Sequence, residues 1–254
     1  MKVTFLGTGT SQGVPVIGCD CAVCLSENAR DRRLRSSILV STDDTNLVID
    51  CGPDFRQQMI LSGIAHLDAV LLTHEHNDHI IGMDDVRPFN FRSRKNMPVY
   101  ATASVQADLL TRFAYIFAKD PYPGAPRLEL NTIDKSTPFQ IKDMEVRPVE
   151  VMHGKMPVLG FRFGNFTYIT DAKTITDKEF SKLEGTETLV LNALHHRTHH
   201  AHLNLEEALE WVERIAPKKA YLLHISHLMG KHDEINPQLP ENVELAYDGL
   251  ILEV

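Results

Sequence analysis

Six residues carry the sharpest chemical signal in the chain: His74-Glu75-His76-Asn77-Asp78-His79. His74 and His76 are two apart, so in an extended segment both imidazoles point the same way. Asp78 and His79 follow where the chain turns toward Ile80-Ile81-Gly82. One short loop therefore offers two imidazoles to one ion, and a carboxylate with an imidazole to a neighbouring ion. Such a donor set suits zinc, manganese or iron. A second signal precedes it. Three of the four cysteines fall at Cys19, Cys21 and Cys24, and clustered thiols in a reducing compartment are metal ligands more often than disulfide partners. Tetrahedral zinc needs a fourth donor beside three thiolates. His227 in His224-Ile225-Ser226-His227, Cys51 and Asp20 are the candidates. Three thiolates and an imidazole leave no position for water, so that site would be structural. Cys51 reads best as a small buried residue.

These groups need elements to place them. Short β-rich runs at 36–42, 46–50, 68–74, 97–102, 144–152, 166–171, 188–194 and 219–224 are bounded mostly by Gly, Pro, Asp or Asn, as strands are. Helical spacing covers 103–119, and again 204–216 after Asn204, which can cap it. Asp50, His74, Asp171 and His224 each end such a strand, and His153 follows one. All five are His or Asp, whereas a merely solvated strand end would use Lys, Glu and Ser as readily. Strands ending on one edge of a two-sheet sandwich bring them together. The pattern implies an α/β architecture: two sheets with helices on the outer faces, in a single domain over 1–254.

Composition narrows the class. The 254 residues are 43% apolar and 24% charged, with a formal charge of −8. That argues against a dedicated nucleic-acid scaffold. The run MKVTFLG is too short for a signal-peptide core, and no stretch approaches the roughly 20 apolar residues of a membrane span. A cytoplasmic enzyme or binding domain is expected, with no membrane partner and a homodimer allowed. Gly7, Gly9 and Gly13 lack the Walker lysine and the dinucleotide fingerprint, so tight turns and close approach to the site explain them better than phosphate binding. The basic run 92–95 reads as a solvated face, and Arg197 as an exposed charge or a phosphate contact.

T-H-x-H-x-D-H after a buried strand, with isolated His, Asp and His later, resembles the metallo-β-lactamase-fold hydrolases along the whole chain. GTGTSQGVP, the C-x-C-x-x-C cluster and the closing AYDGLILEV resemble the PhnP-type phosphodiesterase branch, close to ribonuclease Z. The resemblance implies an αββα sandwich with two mixed β-sheets and two divalent ions, zinc or manganese, at one end. It gives His74, His76 and His153 to one ion, and Asp78, His79 and His224 to the other, with Asp171 bridging. Asp50 would orient a ligand imidazole, and His227 would complete a structural zinc at Cys19, Cys21 and Cys24. The pattern His202-Leu203-x-x-x-x-Ala208 resembles the family's catalytic histidine segment, making His202 the general acid beside catalytic Asp78. At its ordinary pKa a useful fraction of His202 would be protonated at neutral pH. The function implied is hydrolysis of small or cyclic phosphodiesters, with nucleic acid not expected as a partner. A tRNA 3′-processing endonuclease is the first alternative, and a metal-holding module without turnover the second.

Overall fold

The computed structural model describes residues 1–254. Fourteen strands form two seven-stranded sheets. In chain order they are β1 (Lys2–Gly7), β2 (Ser37–Ser41), β3 (Asn46–Ile49), β4 (Ala69–Leu71), β5 (Met97–Ala101), β6 (Leu128–Thr132), β7 (Phe139–Ile141), β8 (Met144–His153), β9 (Met156–Phe163), β10 (Phe166–Tyr168), β11 (Thr188–Asn192), β12 (Lys219–Leu223), β13 (Val243–Leu245) and β14 (Ile251–Glu253). The first sheet runs β14-β1-β2-β3-β4-β5-β6, and the second β13-β12-β11-β10-β9-β8-β7. Both are mixed: β3 to β6 pair in parallel while β1 and β2 are antiparallel. In the second sheet β10 to β13 are parallel and β7 to β10 antiparallel.

Side-chain alternation along each strand builds the layers. Leu47, Ile49, Ala69 and Leu71 face the second sheet and meet Phe161, Phe163, Phe166 and Tyr168. Their neighbours Val48, Val70 and Leu72 face outward onto Phe55 and Met59 of α1 (Phe55–Ser62) and Val105 and Leu109 of the helix Ala103–Arg112. The outer face of the second sheet, Val149, Val151, Leu189 and Leu191, packs on Ala208, Trp211 and Val212 of the helix Leu205–Ile215. That helix starts with a capping box between Asn204 and Glu207, which satisfies two otherwise unpaired donors. The result is the αββα sandwich expected.

One expectation is corrected in detail. The helix read over 103–119 stops at Arg112, because Phe113 leaves helical geometry (φ −109°, ψ 37°). Phe113 and Ile116 remain buried, so their apolar period reflects packing rather than continued helix.

Candidate active site

Parallel strands place their C-terminal ends on one edge. Asp50 follows β3 directly, His224 follows β12 directly, and His153 is the last residue of β8. His74 and Asp171 come three residues after β4 and β10. The two sheets are tied at this edge, where Leu159 N–H donates to the Thr73 carbonyl (3.1 Å). The metal-motif loop enters a short helix, α2 (Asn77–Ile80), immediately after His76. Glycine makes its close packing possible: a Cβ on Gly52 would fall 2.0 Å from the Asp78 carbonyl oxygen, and one on Gly82 2.0 Å from the Gly52 oxygen.

The imidazoles form two adjoining clusters, which meet where the His74 and His79 rings lie 4.2 Å apart. The His74 ring lies 4.7 Å from His76 and 5.9 Å from His153, and His76 lies 5.1 Å from His153. In the second cluster His79 and His224 stack at 5.9 Å, and Asp78 Oδ2 is 3.2 Å from His79 Nε2. Asp171 sits between the clusters. Its Oδ2 is 3.3 Å from both His79 Nε2 and His224 Nδ1, while its Oδ1 is 3.6 Å from His202 Nδ1. His74, His79 and Asp171 converge closely enough to share one ion, as do His153, Asp171 and His202.

Asp50 is fully buried beneath this arrangement. It accepts from His79 Nδ1 (2.6 Å) and from the backbone N–H and hydroxyl of Thr73. Thr73 Oγ1 in turn lies 2.9 Å from His74 Nδ1. One carboxylate therefore sets the tautomer of His79 directly and that of His74 through a hydroxyl, leaving both Nε2 atoms for the site. His153 Nδ1 donates to the Ala201 carbonyl (2.9 Å), which orients that ring likewise. Sequence reasoning missed Thr73, and also Ser36 and Thr10, whose hydroxyls lie 3.2 and 3.3 Å from His224 Nδ1 and Nε2. Hydroxyl residues beside strand ends are too common for their type alone to mark them.

The electrostatics of the site are those of a cation pocket. Burial would push His79 down, but Asp50, Asp171 and Asp78 together hold it well above the ordinary histidine value. Burial opposes ionisation of Asp171, yet His224, His79 and His74 pull it well below the carboxylate range. His74 is pushed well below its usual value by burial and by His79. The nitrogens His74 Nε2, His79 Nε2 and His202 Nδ1 are buried without any hydrogen-bond partner. Unpaired buried imidazole nitrogens beside ionised carboxylates are costly unless a cation meets them. The donor set therefore fits divalent metal.

The structure corrects the expectation for His202. Burial and His224 push it down to about 2, so in the substrate-free protein it is neutral. The rest of the run divides. His195 and His199 accept backbone N–H bonds from Arg197 and Ala201 at Nδ1, and His196 Nε2 donates to the Met229 carbonyl (2.8 Å). The Arg197 side chain is exposed.

The cysteines gather apart from these groups. Cys19, Cys21 and Cys24 are free thiols and converge on His227, whose Nδ1 lies 3.4 Å from Cys19 Sγ and 3.3 Å from Cys21 Sγ. Hydrogen bonding from the Cys24 N–H, with His227, draws the Cys21 thiol down to about 6. Cys51 lies elsewhere, fully buried in the core on the outer face of the first sheet, and Asp20 faces solvent. Three thiols and an imidazole at this spacing fit tetrahedral zinc.

A sandwich of this kind carrying this constellation defines a class, and the chain belongs to it: residues 45–225 match the family described as the beta-lactamase superfamily domain. Its likeness lies in the PhnP-type branch. It is 40% identical to a diphosphatase from the PhnP family, over all of this chain and 97% of that one, with a TM-score of 0.92. It is also 42% identical to the Porphyromonas gingivalis (strain ATCC BAA-308 / W83) protein named octanoyltransferase, over 98% of this chain. The chain spans 51% of that relative's length. The Zn(2+)-bound PqqB from Methylobacterium extorquens shares the fold, at 21% identity and a TM-score of 0.80. No helix is long and apolar enough to cross a membrane.

Proposed function

We propose that this protein hydrolyses small phosphodiesters, cyclic ones included, with two divalent ions, zinc or manganese, at the strand-end site and a structural zinc at the thiols. His74, His76 and His153 would hold one ion, and Asp78, His79 and His224 the other. The observation that carries the reading is the Asp171 carboxylate, which belongs to two convergent donor groups, one with His74 and His79 and the other with His153 and His202. A pair of divalent ions bound there supplies Lewis acidity at phosphoryl oxygens and a water of lowered pKa. The likeness to a PhnP-family diphosphatase supports a phosphoryl substrate.

The chain's own contributions follow from its contacts. Asp50 and Thr73 fix the tautomers of His79 and His74, so that neither presents an N–H toward the cations. The Ala201 carbonyl does the same for His153. His202, the residue after Ala201, would hand a proton to the leaving oxygen. It is neutral in the free protein, so it would take up a proton from solvent as the anionic substrate binds, whose charge favours imidazolium. Asp171 Oδ1 lies on the same side as His202 Nδ1 and would support that charge.

The test is a substrate panel on protein of known metal content: bis-p-nitrophenyl phosphate, 2′,3′-cyclic nucleotides, a diphosphate diester, monoesters and precursor tRNA. The diesters should turn over and the monoesters poorly, since a dianion would occupy the cations unproductively. Efficient tRNA 3′ cleavage without small-diester turnover would replace this reading with the endonuclease. Two bound ions with no turnover on any arm would favour a binding module. His202→Ala should slow ribose diesters about 10²–10⁴-fold and the nitrophenyl ester only mildly, because p-nitrophenolate leaves without a proton. Equal slowing of both, or loss of metal, would remove His202 from the acid role.

A further inference from the structure

Asp171 can serve both halves of the site only while its carboxylate keeps one rotation. Oδ2 faces His79 and His224, and Oδ1 faces His202. The imidazoles cannot enforce that rotation alone, because they lie on both sides of the carboxylate. One hydroxyl donates to it: Thr170 Oγ1 to Oδ2, at 2.7 Å. Thr170 is fully buried and Asp171 nearly so. Both residues lie beyond the end of β10, and Asp171 takes a left-handed backbone (φ 56°) there.

We infer that Thr170 is a positioning residue that locks the bridging carboxylate, an inference resting on the two-ion reading above. A carboxylate oxygen has about two acceptor positions. The Thr170 hydroxyl occupies one on Oδ2, which leaves the other directed at the Asp78, His79 and His224 half and keeps Oδ1 on the side of His202. The arrangement repeats what Thr73 does for Asp50: in both cases the residue just before a site side chain supplies a hydroxyl to a buried carboxylate. Removing a partner of a metal-binding group in this way typically weakens metal binding about 10–100-fold.

Thr170→Val keeps the side-chain shape and removes the donor, and Thr170→Ser keeps the donor. Starting from zinc-loaded protein, metal content after graded chelator competition should show one active-site ion lost about 10–100-fold more readily from the Val variant. The second ion and the thiol-bound zinc should be retained, and the Ser variant should match wild type. The absorption spectrum of the cobalt(II)-substituted protein should change in the Val variant and be restored by Ser. If Val disrupts folding, Thr170→Ala carries the same expectation with the same Ser control. Unchanged competition and spectrum in the folded Val or Ala variant would overturn the inference while leaving the two-ion reading intact. A wild type that holds no pair of ions outside the thiol site would instead overturn that reading.

Discussion

Replacing Asp50 by Asn tests how the buried carboxylate organises the site. The two side chains have nearly the same volume, so packing is preserved and only donor and acceptor identity changes. Asp50 Oδ2 accepts from His79 Nδ1 at 2.6 Å, and Oδ1 accepts from the Thr73 N–H at 2.9 Å. An amide can satisfy one of these but not both. With its oxygen toward His79, its NH2 faces the Thr73 N–H, and an unmet buried donor costs about 1–3 kcal/mol. With its oxygen toward Thr73, its NH2 faces His79 Nδ1, which must then become an acceptor. His79 would carry its proton on Nε2 and point it at the site. Either outcome weakens the Asp78, His79 and His224 half, by about 10–100-fold in metal affinity, or about 1.4–2.8 kcal/mol. Burial pushes the Asp50 carboxyl up, so a neutral amide recovers part of the desolvation cost. The loss in metal affinity should therefore exceed the loss in stability of the metal-free protein. Chelator competition against zinc-loaded protein, paired with thermal melting of the metal-free form, separates the two. Asp50→Asn protein that holds both active-site ions as tightly as wild type would refute the reasoning.

Cys21→Ser should remove the thiol-bound zinc and lower the melting temperature while leaving the two strand-end ions in place; full zinc content and unchanged melting would discard the structural-zinc reading. His232 is buried, and its Nδ1 lies 3.4 Å from an Arg33 nitrogen; burial and Arg33 push it down to about 4. Between that value and the ordinary histidine value of about 6.5 the unfolded chain binds the extra proton, so stability should fall as pH drops through this window. His232→Asn should flatten that part of the melting-temperature profile relative to wild type, and an identical slope would count against it.

Much of the site was legible because chemistry and position coincide in it. The histidines and aspartates that end apolar runs are rare residue types at such positions, and strand polarity then forces them onto one edge. His227 came through likeness to a family rather than through spacing, since it stands in no motif of its own. What stayed hidden was whatever depends on contacts between distant segments. Ser36 reaches His224 across 188 residues, and nothing about a serine in SSILVST marks it. The charge state of His202 was hidden for the same reason: its type gives an ordinary pKa, whereas burial and His224 decide its actual one. Phe113 and Ile116 show the converse error, where a helical period came from two buried contacts in an irregular segment.

The strand ends also share a backbone device. Asp50, Asp171 and His224 all take left-handed conformations, with φ of 67°, 56° and 56°, a region uncommon for residues other than glycine. Such conformations persist when their surroundings over-determine them, and each is followed by a buried residue clamped at both backbone groups. Cys51 donates to the His79 carbonyl and accepts from the Gly82 N–H. Ala172 donates to Asn192 Oδ1 and accepts from Asn192 Nδ2 and the Leu203 N–H. Ile225 donates to the Thr8 carbonyl and accepts from the Thr10 N–H. The clamping segments are not arbitrary. The first is the metal-motif loop, the second includes the loop of His202, and the third is the glycine-containing loop that leads to the cysteines. Each strained site residue is thus held by a segment carrying another part of the site. The strain at one strand end is maintained by the docking of the next functional loop, so the side chains come into place together or not at all.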